Sequence, residues 1–237
     1  IKNGLISWWD GTEASGDLVD QHGSNTLTDT NTVTANPGVI LLEPYDFYGM
    51  HLDGSTQYVT LGDAASLSFD FRDPFSIVAL ANPYSVTANS TIFGKQTDIS
   101  AQGYALFLNA SRQLALSVSN TATTNELQVR GGTALANGTP AMVGASYDGS
   151  IVTAAVTLYV NGVAESPTSV ANTLTAVSDN SIAVNIGAAN AGDLWPGDLG
   201  LVAVFSGVKA AANYRRWAYL AGLLEWRFLS GLRIPPT

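Results

Sequence analysis

"GYALFLNASRQLALSVS", Gly103 to Ser119, is the stretch whose reading decides the fold. Tyr104, Leu106 and Leu108 fall on alternate positions, and Leu114, Leu116 and Val118 do the same. A period of two places each set on one face of an extended strand. The chain turns between them, so the two sets form a hairpin with a shared apolar face. The same pattern recurs on both sides. "PFSIVALANP" (74–83) reads as a buried strand bounded by prolines, and "GLISWWD" (4–10) as an opening strand. "YGMHLDGSTQYVTLG" (48–62) reads as two strands around an Asp-Gly-Ser turn. "AMVGASYDGS" (141–150), "AVTLYVNGV" (155–163), "SIAVNIG" (181–187) and "GDLGLVAVF" (197–205) supply more. Asn161-Gly162 asks for a type I′ turn, in which both central residues need positive φ.

About a dozen short strands with regular turn signals predict an all-β, two-sheet antiparallel jelly-roll sandwich. One short helix is expected near the end, "VKAAANYRRWAYLAG" (208–222), with Gly222 as its stop. No linker divides the 237 residues, so residues 1–221 are expected to form one domain and 222–237 an apolar extension. There is no cysteine, which excludes disulfides and thiolate metal sites. The net charge of −9 lacks the basic footprint of a nucleic-acid binder. No apolar run nears the roughly 20 residues a membrane helix needs, so membrane insertion is not expected. Low charge with abundant Ser, Thr, Asn and Gly is the composition of extracellular or virion- and cell-surface β proteins.

Five stretches, in order, resemble the laminin-G-like (LamG, pentraxin-like) jelly rolls of the concanavalin A-like lectin/glucanase superfamily. They are "GLISWWDGTEASGDLVDQHGSNTLT" (4–28), "MHLDGSTQYVTLGDAASLSF" (50–69) and "PFSIVALANPYSVTANSTIFGK" (74–95), then "YDGSIVTAAVTLYVNGV" (147–163) and "IGAANAGDLWPGDLGLVAVFSGV" (186–208). The resemblance implies a jelly-roll sandwich with a short helix after the last strand. It also implies that Tyr58, Tyr147 and Tyr159 are core residues. Function it leaves open, because this fold carries lectins, adhesion modules, glycosidases and virion parts.

The glycosidase branch carries E-x-D-x-x-E on one strand, whose alternation sets two carboxylates about 5 Å apart for retaining hydrolysis. That spacing is absent here, as is the Gln-x-His of the polysaccharide-lyase branch. The two histidines, His22 and His51, have no metal-type spacing. The chain is therefore expected not to be an enzyme, with a glycoside hydrolase as the least favoured reading.

Many relatives place Ca2+ between the N-terminal loop and the last strand. The resemblance makes Asp20, Gly23 and Asn25 the loop part of such a site. On the last strand it puts Gly200 where relatives keep an acid. Asp198, two residues earlier on the same face, is either a displaced ligand or a turn cap. Trp195 is either a sugar-stacking ring, helped by Asn190 and Asp193 in the adjoining Asn- and Gly-rich loop, or the aromatic that closes the sandwich edge. Trp8 and Trp9 must face opposite ways. The tail carries Leu224, Trp226, Phe228 and Leu229, which must bury themselves on this domain or in a homo-oligomer or larger assembly. The functional expectation is a non-catalytic surface module that binds a glycan or cell-surface polysaccharide. The alternative is a structural subunit of a phage virion, filament or surface layer.

Overall fold

The computed structural model describes residues 3–13, 16–33, 37–42, 45–99, 101–121 and 124–220. In chain order the strands are β1 (Leu5–Trp9), β2 (Thr28–Thr30), β3 (Pro37–Leu42), β4 (Tyr45–Asp53), β5 (Tyr58–Leu61), β6 (Phe75–Pro83), β7 (Ser90–Lys95) and β8 (Gly103–Leu108). They continue with β9 (Gln113–Thr121), β10 (Asn125–Ala134), β11 (Ala141–Tyr147), β12 (Val156–Val160), β13 (Val163–Glu165), β14 (Thr168–Asn172), β15 (Val184–Ile186) and β16 (Pro196–Ser206). Helix α1 (Ala211–Leu220) follows. The boundary expected at residues 221 and 222, and Leu224, Trp226, Phe228 and Leu229, lie outside the described residues.

Two antiparallel sheets face each other. One runs β13-β12-β11-β6-β16-β4-β3, with β1 pairing the second half of β16. The other runs β14-β10-β9-β8-β7-β15-β5-β2. The hairpin forms as its alternation requires: Gly103 faces Ser119 and Leu108 faces Leu114. Its six apolar residues all lie in the core between the sheets, with Phe75, Ile77, Tyr147 and Val204 from the opposite sheet. Trp9 joins that core, while Trp8 packs on the outer face of the first sheet. Of the three expected core tyrosines, Tyr147 is in the central core. Tyr159 belongs to the outer layer and Tyr58 is half-buried.

Asn161 and Gly162 take φ of 49° and 74°, as a type I′ turn demands. Helix α1 lies over the outer face of β11 and β12. Tyr214 stacks on Tyr159 with ring centroids 3.8 Å apart, and its hydroxyl donates to the Ala145 carbonyl at 2.8 Å. Gly144 makes room for that ring, since a Cβ there would run into it. No helix among the described residues is long and apolar enough to cross a membrane.

A bulge in β16 decides where its polar residues point. Leu199, Val202 and Val204 all face the central core, a spacing that strict alternation forbids. The extra residue is absorbed at Leu201, at φ 46°, where the register with β6 shifts. Asp198 therefore lies on the outer face of the first sheet.

Candidate functional site

Pro196 opens β16 opposite Asp53, the last residue of β4, and Gly197 faces Pro83, the last of β6. The loops after these strands therefore meet at one end of the sandwich. The Tyr84 N–H donates to the Pro196 carbonyl at 2.9 Å, and the Thr91 N–H to the Asp193 carbonyl at 2.8 Å. A cleft of about 410 Å³ lies between them, walled by Asp53, Ser85, Thr87, Asn89, Asp193 and Pro196. A second depression, of about 310 Å³, adjoins it on the outer face of the second sheet. Its lining includes Phe107, Asn109, Gln128, Arg130 and Val170, and Asn89 again. Asn89 is the wall common to both.

The walls differ in how firmly they are held. The Asp53 carboxylate accepts N–H bonds from Ser55, Thr56 and Gln57 at 2.8–3.0 Å and hydroxyls from Ser55 and Thr56. Burial works against its charge, but these donors outweigh it and hold the carboxyl well below the usual range. Asp53 is thus a turn-builder with little capacity left for a ligand. Asn109 is likewise occupied, accepting from the Ser111 and Gln113 N–H groups. Asn89 is different, because its side-chain amide has no partner among the described residues and can serve a ligand.

Beside the cleft, three strands bring a polar cluster together. Asp198 lies between His51 on β4 and Asn82 on β6, its partners in register. The carboxylate is 1% exposed. It accepts from His51 Nδ1 at 2.8 Å, from Asn82 Nδ2 at 3.2 Å and from the Tyr84 hydroxyl. Because a carboxylate only accepts, Nδ1 carries a proton and Nε2 of His51 is directed away from it. Burial, and then Asp198, push the Tyr84 hydroxyl up to about 12, so it remains a neutral donor at physiological pH. Tyr84 is 44% exposed and its ring centroid is 5.7 Å from that of His51. Two partly open rings are thereby pinned by one buried acid.

The structure corrects two site expectations. Trp195 is 0% exposed and belongs to the central core, so no face is open for a sugar to stack on; it closes the sandwich edge. Its neighbours split. Asn190 is at an exposed loop tip, whereas Asp193 lines the cleft. Asn190, Ala191 and Asp193 all take positive φ, holding a tight loop closed by the paired backbone bonds of Ala189 and Gly192.

The four residues expected to hold Ca2+ do not assemble. Asp20 accepts N–H bonds from Trp8, His22, Gly23 and Asn25 at 2.9–3.1 Å. Burial opposes its charge, but these bonds keep its pKa lowered. The Asn25 amide is committed to Ser7 and Ser66. Trp8, which Asp20 caps, faces Ala203, five residues along β16 from Asp198, or roughly 15 Å. These residues do not fit a cation bridging loop and last strand. Among the described residues no three His, Cys, Asp or Glu side chains cluster for a metal.

Sequence reading also missed a carboxyl pair. Asp193 Oδ2 accepts the Ile99 N–H at 3.2 Å, which brings its carboxyl near that of Asp98, the residue before Ile99. Two neighbouring carboxyls of this kind suit one shared proton. Burial, with Asp98 adding to it, pushes Asp193 up to about 6 from an ordinary 3.8. A raised carboxyl favours the fold while protonated, so its contribution is full below about pH 4 and is lost as pH rises through about 6. Asp193 is half-buried, which reduces the effect to about 1 kcal/mol. Wild type should therefore melt about 2–4 °C higher at pH 5 than at pH 7.5, relative to Asp193→Asn. Equal pH profiles for the two proteins would refute the shared proton.

The family description "Concanavalin A-like lectin/glucanases superfamily", of laminin-G type, matches residues 53–213, and the chain belongs to that superfamily. No curated protein matches its sequence. Among solved structures it is similar to a Trypanosoma rangeli sialidase in complex with the inhibitor DANA (11% identity, TM-score 0.62, 90% of this chain and 32% of that one). It is similar to the binding domain of Paraclostridial Mosquitocidal Protein 1 (11%, 0.64, 91% and 52%). It is also similar to the CBM40 of a Ruminococcus gnavus IT-sialidase (13%, 0.55, 76% and 100%). The chain thus spans about a third of the sialidase and about half of the toxin domain. At these identities the likeness is one of fold.

Proposed function

We propose that this domain is a non-catalytic glycan-binding module and that its ligand lies across the two depressions that share Asn89. The observation that carries the reading is Asn89 itself: an uncommitted amide at the junction of two hollows. Amides, hydroxyls and a few apolar surfaces are what a polyhydroxylated ring requires. The exposed ring of Tyr84, fixed by Asp198, stands beside the cleft as a stacking surface in place of the buried Trp195. Membership of a lectin-containing superfamily supports this, as does likeness to a toxin's binding domain and to a CBM40. A role at an extracellular, cell or virion surface goes with it.

A glycan array, followed by calorimetry on the best hit, tests the reading. Asn89→Ala should weaken binding about tenfold, the loss of one or two ligand hydrogen bonds. Tyr84→Ala should do the same, while Tyr84→Phe, which keeps the ring but loses its bond to Asp198, should weaken binding less. If wild type binds no glycan and self-associates, a structural subunit replaces this reading.

A further inference from the structure

We infer that the depression on the outer face of the second sheet takes a carboxylate-bearing sugar residue, read by Arg130. This rests on the glycan-binding reading above and adds the ligand's charge. Arg130 is the one cation among the residues lining either depression. It is exposed on β10 and makes no ion pair or hydrogen bond among the described residues. Its cross-strand neighbours are Ala115 on β9 and Thr168 on β14, which offer it no charge.

Lys95, Lys209 and Arg72 are engaged elsewhere. Lys95 is buried against Asp63, Asp179 and Asn180. Lys209 binds the Asn3 carbonyl and lies over the Phe205 ring, and Arg72 lies over Phe71. In a chain of net charge −9, a guanidinium left without a carboxylate beside an uncommitted amide is a vacancy for an external one. The acid on the same face of β10, Glu126, is buried, accepts from Ser117 Oγ at 3.0 Å and lies four residues away, roughly 13 Å. That exceeds the Debye length of about 8 Å at physiological salt, so Glu126 does not neutralise Arg130.

The planar fork of a guanidinium matches a carboxylate with two parallel N–H bonds, a geometry an ammonium cannot reproduce. Asn89, Gln128 and the floor at Phe107 then face the hydroxyls and the ring.

Calorimetry with oligogalacturonate against its methyl ester, and with 3′-sialyllactose against lactose, tests this on wild type, Arg130→Gln and Arg130→Lys. At least one free acid should bind tenfold or more tightly than its uncharged counterpart, and which pair shows the gap separates a uronic from a sialic source. Arg130→Gln should abolish that gap. Arg130→Lys should recover only part of it. Unchanged melting temperatures would show that the variants are folded. Equal binding of acid and uncharged probes by wild type, or an acid preference that survives Arg130→Gln, overturns the inference and leaves the glycan reading standing. Failure of wild type to bind any glycan overturns both.

Discussion

Replacing Asp198 by alanine is expected to lower the unfolding free energy by about 3 kcal/mol, the range for stripping one partner from a buried polar network. The acid is buried and accepts from His51, Asn82 and Tyr84. Removing it leaves the buried Asn82 amide donor without its acceptor. Asp198→Asn should cost less, about 1–2 kcal/mol, because an amide oxygen still accepts from Tyr84 and the volume is kept. His51→Ala should cost under about 1 kcal/mol, since that side chain is 38% exposed and its bond is partly replaced by water. Urea titrations of the three variants would order them. A loss below that of His51→Ala for Asp198→Ala would mean the cluster contributes nothing to folding. The same experiment bears on function, because Asp198 fixes Tyr84 and lies two residues from Pro196 in the cleft wall. Asp198→Asn should therefore keep glycan binding while Asp198→Ala weakens it.

What could be read from the sequence was local. Alternation placed Tyr104, Leu106 and Leu108 in the core, Asn161-Gly162 announced its turn, and the alanine-rich run after Val208 announced the helix. Each depends on residues a few positions apart. The site depends on strand order instead. His51, Asn82 and Asp198 meet because β4, β16 and β6 lie side by side although 147 residues separate the first from the last of them. No spacing rule encodes that neighbourhood. The face on which Asp198 lies was legible from parity with Gly200, but its partners were not.

The bulge at Leu201 was silent for another reason: a leucine at positive φ carries no glycine to announce it. Trp195 shows the limit of composition. An aromatic beside a Gly- and Asn-rich loop suits a sugar platform and an edge plug equally, and only burial separates the two. Asp98 and Asp193, 95 residues apart, were invisible as a pair until two loops folded onto one sheet edge.

Gly103→Ala is expected to cost about 3 kcal/mol or more and to abolish glycan binding with it. Gly103 opens β8 at φ 130°, a conformation L side chains rarely adopt. A Cβ there would overlap the Lys95 carbonyl oxygen and stand 2.6 Å from Asn180 Nδ2. The first obstacle is backbone and cannot swing aside. The second is the amide that holds this corner, since Asn180 Nδ2 donates to the carbonyls of Lys95 and Gln102 at 3.1 and 2.6 Å. Its Oδ1 in turn accepts from Lys95 Nζ at 3.1 Å and the Ile182 N–H at 2.9 Å. Displacing Asn180 would therefore unseat the buried Lys95 and the start of the hairpin together. That hairpin carries Phe107, the floor beneath Arg130, so stability and binding should fail in parallel. Gly132→Ala is the control, because a Cβ there meets nothing within 4 Å and no positive φ is needed. It should change stability by no more than about 0.5 kcal/mol. Equal urea midpoints for the two variants would show that the Lys95–Asn180 corner yields without cost.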